Sequence, residues 1–302
     1  MSNLMQSTQW IWHNGQVIAW DKATVHVLTH SLHYGSAIFE GIRCYETPGG
    51  PAIFCLQEHL ERFLFSCQAL NMQLDYDLST LAEATIKTVK TNGLQSGYIR
   101  PVAYFGYGMQ VTPTTINAEC AIACWPNASI VPQGLLDVKT SPIARIHPST
   151  TVSAAKFAGH YLNSNLAALC IRGSHYHEAL MLDTDGHVAE GCGQNIFMIK
   201  EGTLYTPQTG HILAGITRAT LLELAHTLGI RTIETQLSLD DFYQADEVFF
   251  SGTAAEIAPI RSLDDKIIAD GQIGPITQTL KEAYLNIVHG HNAHFRHCLT
   301  LV

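Results

Sequence analysis

Apolar positions switch between two periods along this chain, and the switches mark its elements. Two aromatic and aliphatic runs, Gln9–His13 and Gln16–Trp20, flank Asn14-Gly15, a dipeptide suited to the left-handed backbone of a tight hairpin. A strand at about Ala37–Tyr45 follows, and Thr47-Pro48-Gly49-Gly50-Pro51 turns it into another, Ala52–Leu56. Leu60, Phe63, Leu64, Cys67 and Leu70 then recur at helical spacing and predict an amphipathic helix over about Glu58–Leu70. A second helix, Leu78–Lys90, ends near Gly93, and Tyr98–Phe105 and Glu119–Trp125 read as strands. These elements make a small α+β domain of residues 1–126.

Pro126–Gly134 has no clear period, so residues 127–134 read as an interdomain linker or lid. Residues 135–302 form the second, larger domain. Strands Ala179–Leu182 and His187–Glu190 surround the Asp185-Gly186 turn, and Asn195–Ile199 and Thr203–Tyr205 surround Glu201-Gly202. That order predicts a meander rather than a βαβ series. Helices are expected at about Tyr161–Arg172, at Arg218–Leu228 closed by Gly229, and at Pro275–Val288 closed by Gly290, with a polar tail after the last.

With 302 residues, 46% of them hydrophobic and 14% charged, the chain suits a two-domain globular enzyme with a sizeable core. A net charge of −9 and scattered Lys and Arg give no basic face for a phosphate backbone, so nucleic acid is not an expected partner. The eight cysteines include no C-x-x-C pair, which points to reduced thiols and a cytoplasmic setting. Met1–Trp12 has no Lys or Arg and no continuous apolar core, so a secretory signal is not expected, and no run approaches the roughly 20 apolar residues of a membrane span. Among 16 histidines, His289, His291, His294 and His297 crowd Cys298, but their spacing matches no structural zinc pattern and no metal is expected there.

Neither Gly106-Tyr107-Gly108 nor Gly191-Cys192-Gly193 continues into a dinucleotide fingerprint, and no phosphate-binding G-x-x-x-x-G-K-[ST] loop occurs. Gly215-Ile216-Thr217, directly before a predicted helix, could still cradle a phosphate on free amides. Three stretches carry a more specific signal: Glu190-Gly191-Cys192-Gly193-Gln194-Asn195-Ile196-Phe197, Leu204-x-Thr206, and Leu213-x-Gly215-Ile216-x-Arg218. Together they resemble the signature of the class IV aminotransferases. His33-Tyr34-Gly35, Phe39-Glu40-Gly41-Ile42-Arg43-Cys44-Tyr45, Tyr98-Ile99-Arg100-Pro101 and Ser251-Gly252-Thr253-Ala254-Ala255-Glu256 extend the likeness along the chain, and are similar to branched-chain amino acid aminotransferases.

The resemblance implies a two-domain fold-type IV enzyme dependent on pyridoxal 5′-phosphate, whose larger domain holds a barrel-like, mostly antiparallel sheet flanked by helices. It implies exchange of an amino group between L-leucine, L-isoleucine or L-valine and 2-oxoglutarate, in a homodimer or higher homo-oligomer whose sites are shared between subunits. Lys156, set among small and apolar residues that lower an amine's pKa, takes the place of the cofactor-bearing lysine and general base. Glu190 is placed against the pyridine nitrogen, Tyr161 at the phenolic oxygen, and Arg62, Ile216, Thr217 and Thr253 at the phosphate. Phe39, Tyr98, Met109 and Val111 would wall the side-chain pocket, with Tyr34 contributed across the dimer interface. Arg100 would pair with the distal carboxylate of glutamate, and the amides around Gly252, Thr253 and Ala254 with the α-carboxylate.

Ala214, Gln194 and His160 depart from the residues common in the family, and Pro126–Gly134 lacks aromatic residues that usually help close the pocket. These departures bear on substrate range more than on reaction type. D-amino acid aminotransferases, R-selective amine transaminases and aminodeoxychorismate lyases share the lysine and glutamate; Phe39–Tyr45 and Tyr98-Ile99-Arg100 favour the branched-chain reading.

Overall fold

The computed structural model describes residues 6–126 and 134–302, so the expected linker or lid lies, apart from Gly134, outside the described residues. The chain forms two compact units: Met1–Ala128 with Ala155–Gly159 and Asn286–Val302, and Ser129–Ala154 with His160–Leu285. It therefore passes between the two units more than once.

The first unit is built on an eight-stranded antiparallel sheet, in the order Leu299–Leu301, Gly50–Phe54, Ile42–Thr47, Gly97–Phe105, Ala118–Trp125, Trp10–His13, Gln16–Ala19, with Ile38–Phe39 paired to Gly97–Phe105. Asn14 and Gly15, at φ 47° and 85°, make the predicted hairpin turn. Helices Leu56–Ala69 and Leu78–Thr91 press Leu60, Phe63, Cys67, Leu81 and Val89 into a core with Ile42, Ile53, Ile99 and Ile122. Phe63 is fully buried there. Phe63→Ala should therefore cost about 3–5 kcal/mol, read as a lower urea midpoint; an unchanged midpoint would contradict this packing.

Two sequence expectations need correction here. The strand foreseen over Ala37–Tyr45 is two strands, because the chain leaves the ladder at Glu40-Gly41. A Cβ on Gly41 would fall 1.8 Å from Tyr98 Oη, so only glycine lets the backbone pass there. Nor does the C terminus end in a polar tail: Phe295 and Cys298 are buried, and Leu299–Leu301 completes the sheet against Gly50–Phe54.

In the second unit, six strands close into a ring: Leu136–Thr140, Glu178–Leu182, Val188–Gly191, Asn195–Lys200, Glu247–Gly252 and Glu256–Leu263, sealed where Glu190 pairs with Asn195. Thr203–Pro207 and Thr232–Thr235 extend this sheet beyond Asn195–Lys200. It is the barrel-like, mostly antiparallel sheet of the expected α+β fold, with helices Tyr161–Cys170 and Ile216–Thr227 against it. The plain meander is corrected. Leu136–Thr140 runs parallel to Glu178–Leu182, and Thr203–Pro207 parallel to Thr232–Thr235, each pair joined through one of those helices. Leu180, Ile196, Met198, Phe250 and Ile260 fill the core with Leu237 and Phe242. Among the described residues no helix is long and apolar enough to cross a membrane.

Candidate active site

In the first unit, Lys156 is fixed by its backbone. Its N–H donates to Ser66 Oγ at 2.9 Å, Phe39 N–H donates to its carbonyl at 3.4 Å, and Ala158 N–H donates to Ala37 O at 2.7 Å. Ser66 in turn donates to the Arg62 carbonyl at 2.8 Å, so the helix that carries Arg62 also seats the lysine. Lys156 Nζ lies 5.1 Å from the centroid of the Phe39 ring.

Arg62 is not the solvated helix face that its place off the apolar stripe suggests. Its Nε and Nη2 donate to Glu40 Oε1 and Oε2 at 2.7 and 2.9 Å, and His59 Nδ1 donates to Oε2 at 2.8 Å. The Glu40 side chain is wholly buried. Burial pushes the Glu40 carboxyl upward in pKa, but the Arg62 charge and the His59 and Arg62 hydrogen bonds outweigh it and hold it well below the usual range. Burial also pushes the His59 imidazole down, aided by Arg62 and Lys156, and exceeds the upward pull of Glu40.

Arg100 stands in an aromatic box. Its guanidinium carbon is 4.7 Å from the Phe39 ring centroid, 5.5 Å from Tyr98 and 5.9 Å from Trp125. Its Nε is buried with no hydrogen-bond partner among the described residues, a donor suited to an incoming carboxylate. Tyr34, Met109 and Val111 are, by contrast, 42%, 46% and 78% exposed. Tyr34 ends the short helix His30–Tyr34, and Met109 and Val111 lie on a neighbouring loop, joined where Tyr34 Oη donates to Met109 O at 3.3 Å and Gly108 N–H to Leu28 O at 3.1 Å.

In the second unit the buried Glu190, on strand Val188–Gly191, is held from several sides. Arg145 Nε donates to Oε1 at 2.6 Å, and Asn195 Nδ2 and Leu213 N–H each donate to Oε2 at 3.2 Å. Asn195 also bonds Leu213 O, and a Cβ on Gly215 would come within 2.0 Å of Asn195 Oδ1. The signature segments Glu190–Phe197 and Leu213–Arg218 thus meet through one asparagine. Gly215 caps helix Ile216–Thr227 in extended conformation without a side-chain cap, leaving the first amides, at Ile216 and Thr217, for an anion. Gly252 ends strand Glu247–Gly252, Thr253 and Ala254 form the turn after it, and the buried Ser251 Oγ lacks a hydrogen-bond partner among the described residues. Tyr161 opens helix Tyr161–Cys170.

Lys156, Arg62, Phe39, Tyr98 and Arg100 thus gather in the first unit, and Tyr161, Glu190, Ile216, Thr217, Gly252, Thr253 and Ala254 belong to the second. Sequence reading missed Glu40, His59, Ser66, Trp125, Arg145 and Asn195. Glu40 and Asn195 lay inside quoted motifs, so a signal existed; Ser66 and Arg145 gave none.

Other reactive groups stand apart. Burial pushes the Cys44 and Cys67 thiols up to about 12, away from nucleophile chemistry. Asp183, Asp185 and His187 could meet a cation, but Asp183 Oδ1 already accepts the Asp185 and His187 amides of its turn. The C-terminal histidines take local partners: His289 donates to Glu46 O, and His297 pairs with His294 O and Cys298 Sγ.

In the second unit a fixed carboxylate and a helix start with open amides suit a basic ring nitrogen and a phosphate, and in the first unit a seated lysine amine suits an aldehyde. Residues 37–263 match the family described as amino-transferase class IV. The chain belongs to the class IV aminotransferase family. A branched-chain-amino-acid aminotransferase of Pseudomonas aeruginosa is 43% identical over 285 residues, 93% of each chain. A solved branched-chain aminotransferase of the thermophilic archaeon Thermoproteus uzoniensis, with norvaline, has a TM-score of 0.93 at 38% identity and covers 97% of this chain and 99% of its own. The branched-chain amino acid aminotransferase of Thermobaculum terrenum, solved in its PLP-bound holo-form, gives 0.92 at 34% identity, over 97% of this chain and 98% of its own.

Proposed function

We propose that this chain is a branched-chain amino acid aminotransferase, moving the amino group of L-leucine, L-isoleucine or L-valine to 2-oxoglutarate in two half-reactions with pyridoxal 5′-phosphate. The observation that carries this reading is the buried Glu190 carboxylate, held by Arg145, Asn195 and Leu213, in a chain that also fixes Lys156 by its backbone. When bound, the cofactor's protonated ring draws off the electron pair released at the substrate Cα.

Glu190 keeps a proton on the ring nitrogen by its charge, and its three donors hold the carboxylate in place. Lys156 would hold the cofactor through its amine, and the same amine would carry the proton from the substrate Cα. The Ile216 and Thr217 amides, the Thr253 hydroxyl and Arg62 bind the phosphate, and Tyr161 bonds the phenolic oxygen. Phe39 and Tyr98 provide the apolar wall for a branched side chain, and Arg100 takes the distal carboxylate of glutamate in the second half-reaction. Gly252, Thr253 and Ala254 bind the α-carboxylate.

Tyr34 is assigned to the site of a second copy, and Met109 and Val111 to the wall of the side-chain pocket. Their exposure, with Val27 at 70%, Leu32 at 66% and Tyr107 at 68%, makes an apolar loop surface that a homodimer would cover. A cytoplasmic location agrees with eight free cysteines.

The test is spectroscopic. L-Leucine, L-isoleucine and L-valine should convert the lysine-bound cofactor to pyridoxamine phosphate, and D-alanine should not; the reverse preference would overturn the substrate reading. Glu190→Gln should still bind cofactor but slow the L-leucine half-reaction by on the order of a hundredfold, and a wild-type rate would show that Glu190 faces something else.

A further inference from the structure

Glu40 and His59 have no part in the roles above, yet with Arg62 they form a deeply buried charge pairing in the first unit. His59 and Arg62 stand three positions apart on helix Leu56–Ala69 and so share a face. Glu40 reaches them from the break between strands Ile38–Phe39 and Ile42–Thr47. Both of its oxygens are used: Oε1 by Arg62 Nε, Oε2 by Arg62 Nη2 and His59 Nδ1. Side-chain exposure is 0% for Glu40, 2% for His59 and 13% for Arg62.

A carboxylate at that depth costs several kcal/mol unless its partners are well placed, so a purely structural need would be met as well by apolar packing. What the pair adds is direction. Side-on pairing through Nε and Nη2 fixes the plane of the rigid guanidinium fork. An unclamped arginine would lose its rotamer freedom each time it bound an anion; a clamped one has lost it on folding.

We infer that Glu40 and His59 are positioning residues for Arg62, Glu40 aiming its guanidinium at a phosphate monoester and His59 holding Glu40 to that task, so that together they set retention of the phosphorylated cofactor. This rests on the reading that Arg62 meets the cofactor phosphate. The specificity acts on the phosphate alone: pyridoxal, which lacks it, offers the clamp nothing.

The experiment uses the full-length chain freed of cofactor and titrated with pyridoxal 5′-phosphate or with pyridoxal, following the absorbance of the lysine-bound form. Glu40→Gln and His59→Leu should each weaken pyridoxal 5′-phosphate binding about 10- to 100-fold while leaving pyridoxal unchanged. His59→Gln, which keeps a donor for Glu40, should bind both as wild type does. The double variant Glu40→Gln/Arg62→Ala should bind pyridoxal 5′-phosphate no more weakly than Arg62→Ala alone, because Glu40 acts through Arg62. Equal weakening of both ligands would mean a structural role and overturn the inference, as would wild-type affinity in Glu40→Gln. If the Glu40 variants do not fold, the contrast between His59→Leu and His59→Gln decides. An Arg62→Ala variant that keeps the full preference for the phosphorylated ligand overturns the phosphate reading itself, and the inference with it.

Discussion

Lys156→Ala should abolish transamination, lowering turnover by about 10⁴-fold or more, while the protein stays folded. The size follows from two tasks on one nitrogen, since the amine that holds the cofactor also carries the proton from the substrate Cα. In the first unit Arg62 and His59 are both engaged by Glu40, and neither is a primary amine able to form a Schiff base, so neither replaces Lys156. The fold should survive because the segment is held by its backbone, through Ser66, Phe39 and Ala37, none of which touches the lysine side chain in doing so. Near-normal turnover in the variant would refute the assignment. Loss of activity with loss of the native melting transition would instead mark Lys156 as structural.

Arg100→Ala should separate the two half-reactions. With Arg100 gone, the distal carboxylate of glutamate would enter a box of Phe39, Tyr98 and Trp125 without a charged partner. Loss of a charge-assisted hydrogen bond costs about 1.5–3 kcal/mol, roughly a ten- to hundredfold fall in the specificity constant for L-glutamate. L-Leucine offers the guanidinium no charge and should lose much less. The measure is the ratio of single-turnover efficiencies for the two donors, relative to wild type. An equal fall for both would show that Arg100 supports the aromatic box and does not read the carboxylate.

Periodicity made the first unit's helices and hairpin legible, because each buries one clean stripe: Leu60, Phe63 and Cys67 on one helix, Leu81 and Val89 on the next. It failed where tertiary demands overrode the period. Ala37–Tyr45 alternates well enough to read as one strand, but the need to bury Glu40 against Arg62 and to pass Tyr98 at Gly41 breaks it. Leu136–Thr140 and Thr232–Thr235 are short and carry few apolar residues, and their parallel partners lie a helix away in sequence, so no turn signal announces them. The C-terminal strand was hidden by the histidines before it.

The proposed site residues come from resemblance; the side chains that hold them in place were not legible. Glu190 reads as a carboxylate after a turn, and nothing local reveals that Arg145, 45 positions earlier, will bind it at 2.6 Å. Arg62 reads as a solvated face because its partner Glu40 lies 22 positions away. Long-range pairs of this kind have no period and no punctuation. They became visible only once strands and helices had brought the partners together.

The central claim, that Lys156 carries a cofactor which branched-chain L-amino acids convert, is tested most directly by borohydride trapping. The holoenzyme is reduced with sodium borohydride before and after incubation with L-leucine, digested, and mapped by mass spectrometry for phosphopyridoxyl-lysine. The label should fall on the peptide containing Lys156, and L-leucine should prevent it by converting the cofactor to the free amine form. Label on another lysine, or label on Lys156 that L-leucine leaves in place and D-alanine removes, would contradict the account.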